Sequence, residues 1–160
     1  MAARTDTPDA TGPVAEFVMT RVFDAPVGLV FEVWTTPEHL AQWWGRKTFT
    51  MPFCEMDVRP GGAFRLCMRS PAGRDYWVRG VYREIVQRER IVFTYALENE
   101  ELDHEALLTV TFTEQDGKTT VTLEQALFDL AKARPGAQDG WVEGLDRLVA
   151  YVAKQLEEQS

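Results

Sequence analysis

The segment 21–45, RVFDAPVGLVFEVWTTPEHLAQWWG, limits what this chain can fold into more than any other stretch. A β-branched and aromatic run ends at Phe23. Pro26 then starts a short helix from its first position, where a missing N–H costs nothing, so a strand hands over directly to a helix. Phe31 and Trp34 sit three residues apart and give that helix one apolar face. Thr36-Pro37-Glu38 predicts a second helix at once, with Thr36 as N-cap and Glu38 in the first turn. This helix runs into Trp43-Trp44-Gly45. Each tryptophan alone is expected to plug the core. The pair, standing before a glycine at the head of a long β region, also suits the mouth of a cavity.

Six further alternating segments follow the helix pair, at about 50–58, 62–70, 75–86, 90–98, 106–114 and 118–127. Together with a first strand at about 15–23 they make seven. Turn chemistry separates them: Pro60-Gly61-Gly62, Pro71-Ala72-Gly73, Gln87-Arg88-Glu89 and Asp116-Gly117, the last being the strongest hairpin signal in the chain. The acidic turn near Asn99–Glu105 is expected to be solvated. After Pro135-Gly136, Trp141, Leu145, Leu148, Val152 and Leu156 mark one stripe of a long amphipathic helix. This order is α+β, and strands joined by short turns must run antiparallel.

At 160 residues the chain is expected to form one domain, 14–157, after a disordered tail at 1–13. Its formal charge of −8 argues against nucleic acid and against anionic membrane surfaces. No apolar run is long enough to cross a bilayer and no leader pattern opens the chain, so the cytoplasm is the expected compartment. A monomer or homodimer is expected.

Only Cys54 and Cys67 are present. Pairing Val58 with Phe64 puts Cys54, Met56, Phe64, Leu66 and Met68 on one face and opposes Asp57 to Arg65 on the other. The two cysteines then point to opposite faces and are expected to be free thiols. Cys54, beside Met56, should be the more buried, and Cys67, between Arg65 and Arg69, the faster to react.

The residues that carry chemistry are few. Serine occurs only at Ser70, beside a turn, and at Ser160; neither suits a serine nucleophile. The only histidines, His39 and His104, are expected to be solvated. They form no HExxH or Cys/His zinc spacing, and no phosphate-cradling loop is present. No catalytic residue, metal or cofactor is therefore expected. Arg21, Glu55, Arg79 and Glu124 are charges within strands and should face solvent.

What remains is an apolar and aromatic face. Alternation turns Met56, Phe64, Leu66, Met68, Tyr76, Val78 and Tyr82 inward, together with Phe93, Tyr95, Leu108, Val110, Phe112, Val121 and Leu123. For each residue alone, core packing is the favoured reading. Three features raise the reading of a pocket. Methionine is frequent on this face and adaptable. Gly80 leaves room or bends its strand. Tyr76, Tyr82, Tyr95 and Gln125 offer polar handles in an otherwise apolar site. The candidate ligand-binding set is therefore Met56, Phe64, Leu66, Met68, Tyr76, Tyr82, Phe93, Tyr95, Leu108, Val110, Leu123 and Gln125 from the strands. Trp43, Trp44, Trp141 and Leu145 join it from the helices. The stretch Phe128–Asp139, with no clear period, is expected to act as a mobile lid.

The run WTTPEHLAQWWG, with CEMDVRPGGAFR, VRGVYREIVQRERIVFTY, LTVTFTEQDGKTTVTLEQ and GWVEGLDRLVAYV in that order, resembles the START-like superfamily. Within it, the chain is similar to the branch of the C-terminal domain of the heat-shock-protein-90 ATPase activator. The resemblance implies a helix-grip fold: a seven-stranded bent antiparallel sheet around a long C-terminal helix, two short helices after strand one, and a cavity between sheet and helix. It implies a carrier, sensor or sequestering protein for a small hydrophobic or aromatic molecule. The alternatives are a cyclase- or hydrolase-like enzyme using the same cavity, and a co-chaperone-like ATPase regulator of the stress response. The last is the weaker expectation, because about a dozen residues precede the first strand.

Overall fold

Apolar alternation becomes β-structure almost where the residue pattern places it. The computed structural model describes residues 13–98, 105–128, 133 and 136–159. In chain order these form β1 (Val14–Phe23), α1 (Val27–Thr35), α2 (Pro37–Trp43), β2 (Thr50–Met56), β3 (Ala63–Arg69) and β4 (Asp75–Val86). Then come β5 (Arg90–Leu97), β6 (Ala106–Gln115), β7 (Lys118–Leu127) and α3 (Ala137–Gln159). The strands make one seven-stranded antiparallel sheet in the order β1-β7-β6-β5-β4-β3-β2. This is the helix-grip arrangement. Residues 1–12 of the expected tail, the turn at 99–104 with His104, and 129–132 and 134–135 of the expected lid lie outside the described residues.

Local chemistry sets the element ends. Pro26 stands one position earlier than expected, at the N-cap of α1 in extended backbone, and its carbonyl accepts from the N–H groups of Leu29 and Val30, both at 3.2 Å. The free Val27 N–H is taken by Glu114 Oε2 of β6 at 3.1 Å, so a carboxylate sits at the positive end of the helix. Thr36 caps α2 with its carbonyl, which accepts from Leu40 N–H at 2.9 Å, and Pro37 occupies the first turn. The β6–β7 turn is built as its residues demand: Asp116 and Gly117 both have positive φ, 54° and 79°, between Gln115 and Lys118 paired across the hairpin.

The β2–β3 register differs from expectation by two residues. Met56 pairs with Phe64 and Glu55 with Arg65, because Asp57–Gly62 folds as a turn of its own. In it Arg59 N–H donates to Asp57 O at 2.9 Å and Gly62 N–H to Arg59 O at 2.8 Å. An even shift keeps every side chain on its face, so the expected inner set survives.

The thiols are free, but their burial is the reverse of expectation: Cys67 is 1% exposed and Cys54 is half-buried. The outer face of β3 is not open. Phe53 and Trp77 flank Cys67 in register on β2 and β4, with their rings 5.3 Å apart, and Arg65 lies 4.0 Å over the Trp77 ring. The same Arg65 forks onto Glu98 at 2.6 and 2.9 Å.

The inner face of the sheet is closed by α1, α2 and α3. Trp141, Leu145, Leu148 and Val152 are buried along α3, and Leu156 packs partly against the same core. Among the described residues no helix is long and apolar enough to cross a membrane.

Two outcomes follow from this packing. Leu145→Ala should lower the unfolding free energy by about 2–5 kcal/mol in a urea titration, and Leu145→Asp should leave the chain unfolded. Trp77→Ala should speed alkylation of Cys67 several-fold and leave that of Cys54 unchanged, as read by mass spectrometry of the native protein, since it removes half of the cover over the Cys67 sulfur.

Candidate functional site

The helix pair and α3 deliver their tryptophans to one place. Trp34 of α1 stacks on Trp141 of α3, with centroids 6.4 Å apart and planes at 16°. It also makes edge contacts with Trp43 at 4.6 Å and with Trp44 and Phe112 at 6.4 Å. The Trp43-Trp44 pair divides its work. Trp43 is fully buried and its Nε1 donates to Val33 O at 3.0 Å, which makes it a core plug. Trp44 turns toward the sheet and meets Phe93, Tyr95 and Trp141 at 6.3, 6.0 and 5.0 Å. At 5% exposure it is interior as well.

Beneath this cluster lies a small apolar space, lined by Trp34, Leu40, Trp44, Phe64, Leu66, Tyr82, Ile91 and Phe93. It leaves about 10 Å³ for the centre of a water molecule, room for one water at most. Part of the reason is Gly80. The ring of Phe64 occupies the position that a side chain at Gly80 would take, and Thr94 O closes on the same point from β5. The glycine thus makes room for a ring of the protein itself.

Of the residues expected in the site, Trp44, Phe64, Leu66, Tyr82 and Phe93 line this space. Leu108, Val110, Leu123 and Leu145 are buried in the core around it, Trp43 stands behind Trp34, and Met56 and Met68 are half-buried against the core. Tyr76 lies apart, its ring 5.9 Å from Phe49 with Arg74 over it at 5.1 Å. Tyr95 stays beside Trp44 and Trp141. Gln125 is buried and both ends of its amide are engaged: Oε1 accepts from Trp141 Nε1 at 3.1 Å, and Nε2 donates to Glu16 Oε1 at 3.0 Å. A bulge between Ala15 and Phe17 breaks the alternation at Glu16. Trp34, Leu40 and Ile91 were missed. Ile91 was legible from its spacing to Phe93 and Tyr95, and Leu40 from its place four residues before Trp44.

Four residues fasten the Trp44 segment to α3. Arg147 donates to the carbonyls of Gln42, Trp44, Gly45 and Arg46 at 2.8–3.3 Å. Burial draws its pKa down from the usual value. Glu143 accepts from Lys47 N–H at 3.2 Å and from Arg46 at 2.9 Å. Those contacts, the Lys47 N–H first, hold the carboxyl below the usual glutamate range.

The titratable groups nearby offer little reactivity. Burial pushes the Tyr82 phenol well above its ordinary value, with Cys54 adding to the shift, and pushes the Cys54 thiol up to about 11. Both stay protonated at neutral pH. His39 is not simply solvated as expected: it is half-buried and its Nδ1 lies 2.6 Å from Tyr151 Oη of α3. Ser70 Oγ accepts from Arg74 N–H within its turn. Glu55 and Arg79 face solvent as expected, whereas Arg21 leans toward Asp146 of α3 at 3.8 Å. Among the described residues no group of three His, Cys, Asp or Glu could hold a metal ion.

A family model described as Activator of Hsp90 ATPase homolog 1-like protein matches residues 24–153. No curated protein matches the chain at a significant level. Many solved structures share its fold. A solution structure of a protein from Arthrobacter aurescens superposes with a TM-score of 0.81 at 20% identity, covering 94% of this chain and 90% of that one. A protein from Rhizobium leguminosarum gives 0.70 at 28% identity, covering 90% and 99%. The AHSA1-like protein from Aeromonas hydrophila gives 0.70 at 18%, covering 87% and 94%.

The packing around this site sets two expectations. Gly80→Ala should cost at least about 1–3 kcal/mol by denaturant titration. Adding Phe64→Ala should not restore the loss, because the Thr94 carbonyl is backbone and cannot move aside. Glu143 has a depressed pKa in the folded state, so its contribution is complete at neutral pH and is lost as pH falls through and below the ordinary glutamate range. Glu143→Gln should therefore lower stability near pH 7 and flatten the acid limb of a melting-temperature profile.

Proposed function

This chain belongs to the family of Activator of Hsp90 ATPase homolog 1-like proteins, and from that premise we propose that it binds a small hydrophobic or aromatic molecule on the concave side of the sheet, in the space under Trp44 that α1 and α2 close. In this reading it serves as a carrier, sensor or sequestering protein. The observation that carries the reading is the lining of the space under Trp44: eight residues, seven of them wholly apolar or aromatic without a titratable group, and Tyr82 held as a neutral phenol. Such a wall recognises apolar surface and offers neither base nor nucleophile at neutral pH.

The resting form is closed, so uptake requires side chains to move. Trp44 and the half-buried Met56 and Met68 are the groups placed to do so. Trp44 follows a seven-residue helix, and methionine repacks at low cost. Opening separates Trp44 from several rings, and the ligand must replace those contacts; an aromatic body does this best.

The test is native mass spectrometry of the protein purified from its own source without denaturation, followed by release and identification of bound small molecules. A bound apolar species of defined mass is expected. Adding it back to stripped protein should raise the melting temperature with concentration, by mass action, and change the tryptophan emission. A bare chain whose melting temperature and emission respond to no apolar molecule recovered from the same source would overturn the reading.

A further inference from the structure

All four tryptophans of the cluster are buried, and one of them has a buried N–H without a partner. Trp43 Nε1 has Val33 O and Trp141 Nε1 has Gln125 Oε1. Trp34, 3% exposed, has a buried Nε1–H with no acceptor among the described residues. A buried donor left without an acceptor is costly, and native proteins tolerate few of them without a reason. Trp34 is also a wall of the apolar space, where its neighbours Leu40, Trp44, Phe64 and Leu66 provide no side-chain oxygen.

The charge of the occupant follows from the same wall. None of the eight lining residues is ionic. A carboxylate or ammonium brought into this space would lose its hydration with no counter-charge to replace it. A neutral oxygen loses much less and gains the indole N–H.

Resting on the binding reading above, we propose that the molecule held at this site is uncharged and carries a carbonyl or ether oxygen that accepts a hydrogen bond from Trp34 Nε1. Trp34 is then the residue that selects among apolar molecules of equal size. Tyr82, whose hydroxyl is the one side-chain oxygen among the lining residues, is available to a second oxygen.

The probes are acetophenone and α-methylstyrene, which differ by exchange of the ketone oxygen for a methylene, and benzoate, which adds a charge. Each is titrated against the wild-type protein and Trp34→Phe, with binding read from indole and methyl NMR signals. Transfer from water favours the alkene, so the informative quantity is the ratio of the two affinities. Replacing Trp34 by Phe should lower the affinity for acetophenone about tenfold relative to α-methylstyrene, the scale of one hydrogen bond to a buried donor. In the wild-type protein acetophenone alone should move the Trp34 indole proton downfield, and benzoate should bind far more weakly than either. The wild-type arm decides by itself if Trp34→Phe does not fold. An unchanged ratio, or a Trp34 proton equally unmoved by both neutral probes while they bind, overturns the proposal and leaves the binding reading standing. Benzoate binding as well as acetophenone overturns the requirement for neutrality. If none of the three perturbs the lining residues, the proposal fails, and the binding reading is decided by the molecule recovered from the native protein.

Discussion

One guanidinium organises the concave side of this protein. Arg147 lies on α3, and its partners are carbonyl oxygens of Gln42, Trp44, Gly45 and Arg46, at and just past the end of α2. The end of a helix leaves its last carbonyls unmatched and carries partial negative charge, so a cation there meets two needs at once. The result is that α2 cannot leave α3 without stranding a half-buried cation and several carbonyls. Trp44 is held against the sheet by the backbone on either side of it, not only by its own ring contacts. Glu143, Arg46 and Lys47 secure the next few residues in the same way.

The aromatic cluster is therefore clamped to α3 where Trp44 enters it. Most of its polar atoms are matched: Trp141 to Gln125, Gln125 to Glu16, Trp43 to Val33. At the centre stand the unmatched Trp34 N–H and the small apolar space. In the binding reading proposed above, a ligand would shift the balance toward an opened form only by what it gains there, and rings it separated would need equivalent partners on it.

Much of this was legible in the residues. Strand boundaries followed alternation within a residue or two, and the Asp116-Gly117 turn, the α3 stripe and the helix pair followed from local chemistry that no tertiary contact overrode. The differences have specific causes. The β2–β3 register moved because Asp57–Gly62 folds as a turn held by its own hydrogen bonds and by Tyr82 of β4, which apolar patterning does not reveal. The neighbours of Cys67 in sequence are arginines, which predicts exposure; its neighbours in space are Phe53 and Trp77, brought there by pairing with two other strands. Glu16 escaped notice because a bulge breaks the period on which facing arguments rest. The size of the space under Trp44 was not legible at all. It depends on how the Phe64 ring settles over Gly80, a matter of fractions of an ångström that periodicity does not encode.

The wall of that space draws on β3, β4, β5, α1, α2 and the residue after α2, and mostly one or two side chains come from each. On the strands every inward residue is separated from the next by an outward one, so a change at Leu66 or Ile91 enlarges or reshapes the hollow without disturbing a ladder or a turn. Lining and architecture are in this sense written in separate letters of the chain. That separation leaves the interior residues free to vary while the scaffold stays, in keeping with the same fold in solved structures at 18–28% identity.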